Sequence, residues 1–361
     1  MKKTILQLIE VLSLILLNAS FVFFIKKIID VITEYNAYQS IGLDFFIVVY
    51  SMGYILFLII LFFIMKIASR YLKNKGYFTL IGSFKAFSKK HRLVTIVSIV
   101  LFVITLFMIS VILLQDNFIY HPNKSFSSED RLVNSNKYLK IKIETENGTT
   151  LSGWLRLKDS KAYTIIYFGG NGESAPVFFS KQDSSDWSRF NDYNVIMVDY
   201  PGYGFSGGET NEESIYKMSL EVFDYVYKLD KIDNSKIIVF GFSLGTGVAT
   251  YVAQKRNFNK LILLAPYTSM VDVFNSKVPI FYGLMELAFN NKFDSLNRAK
   301  DINEETLIIC SHDDEVISYK LSKQLSEKIE NVNLYYSDGS KHNKYLSNIE
   351  VILKINDFIS N

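Results

Sequence analysis

The sequence predicts an α/β domain, a mostly parallel sheet with helices on both faces, preceded by an apolar helical region. Three observations lead there. The first 115 residues hold long runs without charge, and the rest breaks into short apolar runs separated by amphipathic segments. Directly after one of those runs stands a serine flanked by glycines two positions either side, at the point where strand should give way to helix.

The apolar front comes first. Residues 93–114 contain no charge and no proline. At 1.5 Å per residue such a helix crosses a hydrocarbon core of about 30 Å. Residues 45–65 do the same, and neither run has the polar face a helix on a soluble core would show. Residues 5–25 form a third candidate, interrupted by Gln7, Glu10, Ser13, Asn18 and Ser20. An acid at mid-membrane would cost about 2.5–3.5 kcal/mol, but Glu10 lies near one end and can reach the interface. No small-residue cleavage site follows that run, so it does not read as a removable leader. Residues 1–115 are therefore expected to be a membrane region with three spans.

Charge then orients it. Residues 1–117 carry twelve Lys/Arg against five Asp/Glu, a balance of +7, which leaves −4 for the remainder of a chain whose net charge is +3. Eight of the basic residues fall between Lys66 and Arg92, with no acid among them. Short basic loops stay cytoplasmic, so the third span delivers the C-terminal domain to the extracytoplasmic side. That domain should begin at residue 118, close to the membrane. It has no basic stripe to neutralise phosphates, which argues against a nucleic-acid partner. The single cysteine, Cys310, permits neither an intrachain disulfide nor a Cys-based zinc site, and no cofactor is called for.

Within residues 118–361, Lys137–Glu144 and Leu151–Leu157 alternate around Asn147-Gly148, a hairpin signal. Thr164–Phe168, Val195–Val198, Lys236–Phe240, Leu261–Leu264 and Thr306–Cys310 are continuously apolar, as parallel strands buried on both faces require. Ser214–Lys228 places Ile215, Met218, Val222, Phe223 and Val226 on one helical side. Strand–helix alternation of this kind builds an α/β sheet.

The chemistry concentrates at four places. Gly241-Phe242-Ser243-Leu244-Gly245, between a strand and a helix, reads as a nucleophile elbow, in which a sharp turn projects the hydroxyl above the sheet. The N–H of Leu244, at the helix start, can receive developing negative charge. Of the four histidines only His342 follows both the serine and the carboxylate-bearing loop Ser311-His312-Asp313-Asp314-Glu315. That order, serine, acid, histidine, suits the fold. One carboxylate should orient the imidazole and the others should be solvated loop acids, but the physics alone does not separate Asp313 from Asp314. Gly169-Gly170-Asn171-Gly172 after the Thr164–Phe168 run can bring backbone N–H groups to an oxyanion, and no P-loop lysine follows it.

With these motifs in place, residues 118–361 resemble the α/β-hydrolase superfamily, in particular its minimally lidded, membrane-anchored domain proteins and serine-aminopeptidase-like relatives. Tyr120-His121-Pro122, Phe168-Gly169-Gly170-Asn171-Gly172, Asp199-Tyr200-Pro201-Gly202-Tyr203-Gly204, the elbow, Ala265-Pro266-Tyr267 and His342 carry the likeness. The resemblance implies Ser243, Asp314 and His342 as a catalytic triad, with the N–H of Asn171 as an oxyanion donor beside that of Leu244. It departs at Gly169, where relatives often have a histidine, and at Ser311, where a glycine often stands. The implied activity is hydrolysis of an ester, thioester or amide through an acyl-enzyme, with small-molecule or lipid-like acyl substrates. The alternative is a catalytically silent protein of the same fold that binds or scaffolds. Between Pro266 and Lys300 there is no room for a large cap, and Val271, Val273, Phe274, Ile280, Phe281, Leu284, Met285 and Leu287 either line an acyl site or form one helix's core face.

Overall fold

In the computed structural model the described residues run from 104 to 361, apart from 106, 110, 114, 118, 124–125 and 183–189. The expected spans at 5–25 and 45–65, and most of that at 93–114, lie outside them. Among the described residues no helix is long and apolar enough to cross a membrane. The chain divides into two units, Met1–Phe118 and Ile119–Asn361, and the second holds the sheet.

Helix α1 (Phe126–Val133) leads into the hairpin β1 (Leu139–Glu144) and β2 (Thr150–Arg156), followed by β3 (Thr164–Phe168), α2 (Ala175–Gln182) and β4 (Asn194–Val198). Then come α3 (Glu212–Tyr227), β5 (Ile237–Phe242), α4 (Leu244–Lys255), β6 (Lys260–Leu264), α5 (Met270–Lys277) and the short α6 (Ser295–Arg298). The chain ends with β7 (Glu305–Cys310), α7 (Tyr319–Ser326), β8 (Val332–Tyr336) and α8 (Ile349–Ser360).

The eight strands form one sheet in the order β1-β2-β4-β3-β5-β6-β7-β8. β1 and β2 pair antiparallel, as does β2 with β4; every other pairing is parallel. The expected strand runs coincide with the observed ones to within about two residues. The continuously apolar runs are those buried on both faces: Ile166, Val239, Ile262 and Ile308 are inaccessible, and each such side chain contributes roughly 1.5–3 kcal/mol by leaving water. β2 differs from expectation, being buried along nearly its whole length rather than on alternate residues. Its Gly153 explains the fit, since a Cβ there would lie 2.6 Å from the Met197 carbonyl oxygen of β4.

α3 is fixed by a reciprocal cap, in which Asn211 accepts the Ser214 N–H and Ser214 accepts the Asn211 N–H. It lays Ile215, Met218, Val222, Phe223 and Val226 on the sheet. From β3 the chain turns to one side for β4 and then returns to the other side for β5. That reversal opens a crevice at the carboxyl ends of β3 and β5, where ligands of open α/β sheets bind. Both the glycine loop and the serine elbow leave the sheet there, because Phe168 and Gly241 are register partners.

Candidate active site

Ser243 follows β5 with φ 50° and ψ −117°, in the positive-φ half of the map where few side chains sit. The turn is that sharp because β5 and α4 pack directly on each other. A Cβ on Gly241 would overlap the backbone of Gly245, and a Cβ on Gly245 would overlap the Phe168 carbonyl. Only glycine fits either position. Ser243 stands at the N-cap of α4 yet makes no side-chain cap. Its Oγ instead lies 2.9 Å from His342 Nε2.

His342 opens the helical turn after β8, and Phe242 stacks on its ring at 5.2 Å. Its Nδ1 lies 2.9 and 3.0 Å from the two Asp314 oxygens. Asp314 also accepts the N–H groups of Val316 (2.9 Å) and Ile317 (2.8 Å) and the Tyr345 hydroxyl (3.0 Å). Its side chain is 1% exposed. Burial works against the charge, but the His342 hydrogen bond and charge, with the two backbone donors, outweigh it and hold the carboxyl below the usual Asp range. Of the two acids the sequence leaves open, Asp314 is therefore the one that meets the imidazole.

The neighbouring loop acids Asp313 and Glu315 are exposed to solvent, as the sequence leads one to expect, yet each also has a hydrogen-bond partner in the next loop. Asp313 accepts the Gly339 N–H at 2.7 Å, Glu315 accepts the His342 N–H at 3.2 Å, and His312 Nδ1 lies 2.7 Å from Asp338. Four consecutive side chains thus join the loop after β7 to the loop after β8. A run of polar residues in one loop gives no hint of which partners it will find.

The glycine loop crosses the elbow closely enough that a Cβ on Gly170 would come within 3.6 Å of Ser243 Cβ. The Leu244 N–H, first of its helix, has no acceptor within the helix. Neither it nor the Asn171 N–H meets any other acceptor among the described residues. The loop is held from outside and by itself: Tyr200 donates to the Gly169 carbonyl (2.8 Å), Tyr203 donates to Asn171 Oδ1 (2.8 Å), and the loop's own Glu173 accepts from Tyr167 (2.9 Å) and from the Gly170 N–H (3.2 Å). Burial raises the Glu173 carboxyl above its ordinary value. The glycine at 169 also has its reason, since a Cβ there would lie 2.7 Å from the Met197 methyl and 2.9 Å from Glu173 Oε2. Sequence reasoning attached no role to Tyr200, Tyr203 or Glu173. The signal available was the motif Asp199-Tyr200-Pro201-Gly202-Tyr203, whose purpose becomes plain only in three dimensions.

The segment from 266 to 300 is neither wholly core nor wholly exposed. Val271 and Phe281 are buried, Phe281 against Phe274 and Phe289, whereas Val278, Ile280, Tyr282 and Leu287 lie outside, Leu287 at 66% exposure. Lys277 donates to the Glu315 carbonyl at 2.6 Å, so this exposed apolar stretch begins beside the Asp314 loop. Cys310 is buried, and burial pushes its thiol up to about 12. Among the described residues no group of three His, Cys, Asp or Glu converges as metal ligands.

Comparison with known proteins follows the same outline. A family model described as alpha/beta hydrolase fold matches residues 163–286. An uncharacterized protein of Mycobacterium tuberculosis is 25% identical over 194 residues, which are 51% of this chain and 65% of that one. Lysophosphatidylserine lipase ABHD12 of Xenopus tropicalis is 28% identical over 196 residues, 47% of this chain and 50% of its own length. The matches thus span half to two-thirds of those relatives. An alpha-beta hydrolase from Vibrio vulnificus superposes with a TM-score of 0.53 at 23% identity, over 66% of this chain and 87% of that one, a likeness of fold.

Proposed function

This chain belongs to the α/β-hydrolase superfamily, and on that premise we propose that it is a serine hydrolase that cleaves ester, thioester or amide bonds through an acyl-enzyme. The observation that carries the reading is the line Ser243 Oγ–His342 Nε2–His342 Nδ1–Asp314, with contacts of 2.9 Å at each step, on a serine held at positive φ. His342 takes the Ser243 proton as Oγ attacks the carbonyl carbon. The N–H groups of Asn171 and Leu244 receive the oxyanion. His342 then gives its proton to the leaving group as the scissile bond breaks. A water, deprotonated by the same imidazole, attacks the acyl-enzyme, and Ser243 leaves with the proton restored. Asp314 keeps the imidazole in the tautomer that leaves Nε2 free to accept.

Lipid-like acyl substrates and a membrane-anchored, extracytoplasmic domain complete the proposal. Three features support it: the charge-free runs at 45–65 and 93–114, the exposed Val278, Ile280, Tyr282 and Leu287 in a segment that Lys277 ties to the Asp314 loop, and a lysophosphatidylserine lipase among the relatives.

A fluorophosphonate probe on detergent-purified full chain tests the reading. Wild type should be labelled and Ser243→Ala should not, with equal thermal melts. Folded wild type that resists labelling and hydrolyses no p-nitrophenyl ester would leave a binding or scaffold protein. Within the enzyme reading, rising kcat/KM along an acyl-length series supports a lipid-like substrate, and a flat series removes that part.

A further inference from the structure

His121 lies 50 residues before Asn171 in the chain, yet the two close a ring of hydrogen bonds. The His121 N–H donates to Asn171 Oδ1 at 2.9 Å, and Asn171 Nδ2 donates to His121 Nδ1 at 2.7 Å. Tyr203 completes the bracket: its hydroxyl donates to the same Asn171 oxygen at 2.8 Å and lies 3.1 Å from the His121 N–H. The next residue, Gly172, sits at φ 77°, and a Cβ there would meet the His121 carbonyl at 3.6 Å. Asn171 is exposed, so without this bracket its side chain would turn freely in water and its peptide would have little to fix it. A neutral amide held at both ends, by contrast, sets the plane of the backbone that follows Gly170.

We infer that His121 is a positioning residue for the proposed hydrolysis, fixing the Asn171 peptide so that its N–H points at the oxyanion. The inference rests on the serine-hydrolase reading above. It also assigns His121 a required state, because Nδ1 must accept from Asn171 and so must be unprotonated. Burial lowers the His121 pKa, which favours that state. Among the described residues the ring's hydrogen-bond partner is the Asn171 amide, the Tyr203 phenol meets the His121 backbone N–H instead, and no ion pair involves His121. The Glu173 carboxylate of the same loop is occupied by Tyr167 and the Gly170 N–H. Protonation would set an N–H against the Asn171 amide hydrogens, two donors face to face, and the ring would open.

The test compares His121→Ala and His121→Asn in the full chain, with p-nitrophenyl butyrate as probe. An asparagine side chain can place an oxygen near the position of Nδ1 and does not titrate. An oxyanion donor is worth about 10²–10³ in kcat when deleted. Loosening one should cost less, and His121→Ala is expected to lower kcat about tenfold with KM within twofold. His121→Asn should recover to within threefold of wild type. The acid limb of log kcat against pH should steepen at its lower end in wild type and keep unit slope in His121→Asn. Wild-type kcat in His121→Ala, or His121→Asn no better than alanine at equal melting temperature, overturns the inference. Failure of wild type to label with fluorophosphonate overturns the hydrolase reading instead, so the two failures are distinct.

Discussion

Asp199, at the end of β4, is 1% exposed and carries a carboxyl that burial pushes up to about 6 from 3.8, despite two backbone donors. Its Oδ1 accepts the Ala175 N–H at the start of α2 (2.6 Å), and Oδ2 accepts the Phe205 N–H (3.1 Å). It therefore ties α2 to the turn that carries Tyr200 and Tyr203. Between about pH 4 and 6 the folded chain holds the Asp199 proton that the unfolded chain has already released. Folding then binds protons, so stability falls as pH rises through that window. At about 1.4 kcal/mol per pKa unit the full loss is ~3 kcal/mol, of which all but about half a kcal/mol lies above pH 4. Asp199→Asn removes this titration while adding a constant penalty, since one amide cannot accept from both N–H groups. Urea unfolding of both proteins in detergent at pH 4, 6 and 8 isolates the effect, because every other titrating group cancels in the difference. The stability advantage of wild type over the variant should shrink by about 2–3 kcal/mol from pH 4 to pH 8. A difference that stays within 1 kcal/mol across that range, or grows with pH, refutes the reasoning.

Asp314→Asn should retain the fold but lower kcat for a p-nitrophenyl ester by about 10³–10⁴, the scale seen when the orienting acid of a serine protease is made neutral; a loss below tenfold would show that Asp314 does not set the imidazole. Gly245→Ala should cost about 3 kcal/mol or more in urea unfolding, because its Cβ would overlap the Phe168 carbonyl and lie 2.8 Å from that of Gly169, both backbone atoms that cannot turn aside. A variant of near wild-type stability would mean that β3 and α4 are farther apart than described.

The order of strands and helices was legible because burial on two faces leaves a mark on composition: Ile165-Ile166, Ile238-Val239 and Leu307-Ile308 read as strand interiors in any context. The elbow was legible for a similar reason, since the overlap of Gly241 with Gly245, and of Gly245 with Phe168, forbids any other residue. His342 could be named by elimination among four. The supports were not legible. Nothing in the run His312-Asp313-Asp314-Glu315 states that Asp313 will bond Gly339 and Glu315 will bond the His342 N–H, because those contacts depend on how two loops from adjacent parallel strands approach. The same holds for β2, whose alternating sequence suggested an open face, while α2 packs against it in the folded domain. Periodicity reports what one element needs and says nothing of its neighbours.

The supports fall into two groups that meet only at Ser243. On one side, loops after β7 and β8 are joined by hydrogen bonds from four successive side chains, so His342 is held through its ring, by Asp314, and through its backbone, by Glu315. On the other, the glycine loop after β3 is held by its own Glu173 and by Tyr200, Tyr203 and His121 from two other segments of the chain. The groups proposed to handle the proton and those proposed to stabilise charge are thus braced independently. Two groups of residues with no shared partner should act additively. Loosening Asn171 through His121 should therefore slow the reaction by the same factor whether Asp314 is intact or changed to asparagine, whereas Glu315 and Asp314, which share His342, should not combine in that way. The motifs before the elbow and the loops after it are on this view two frames, and the serine at positive φ is the one point at which both must be in register.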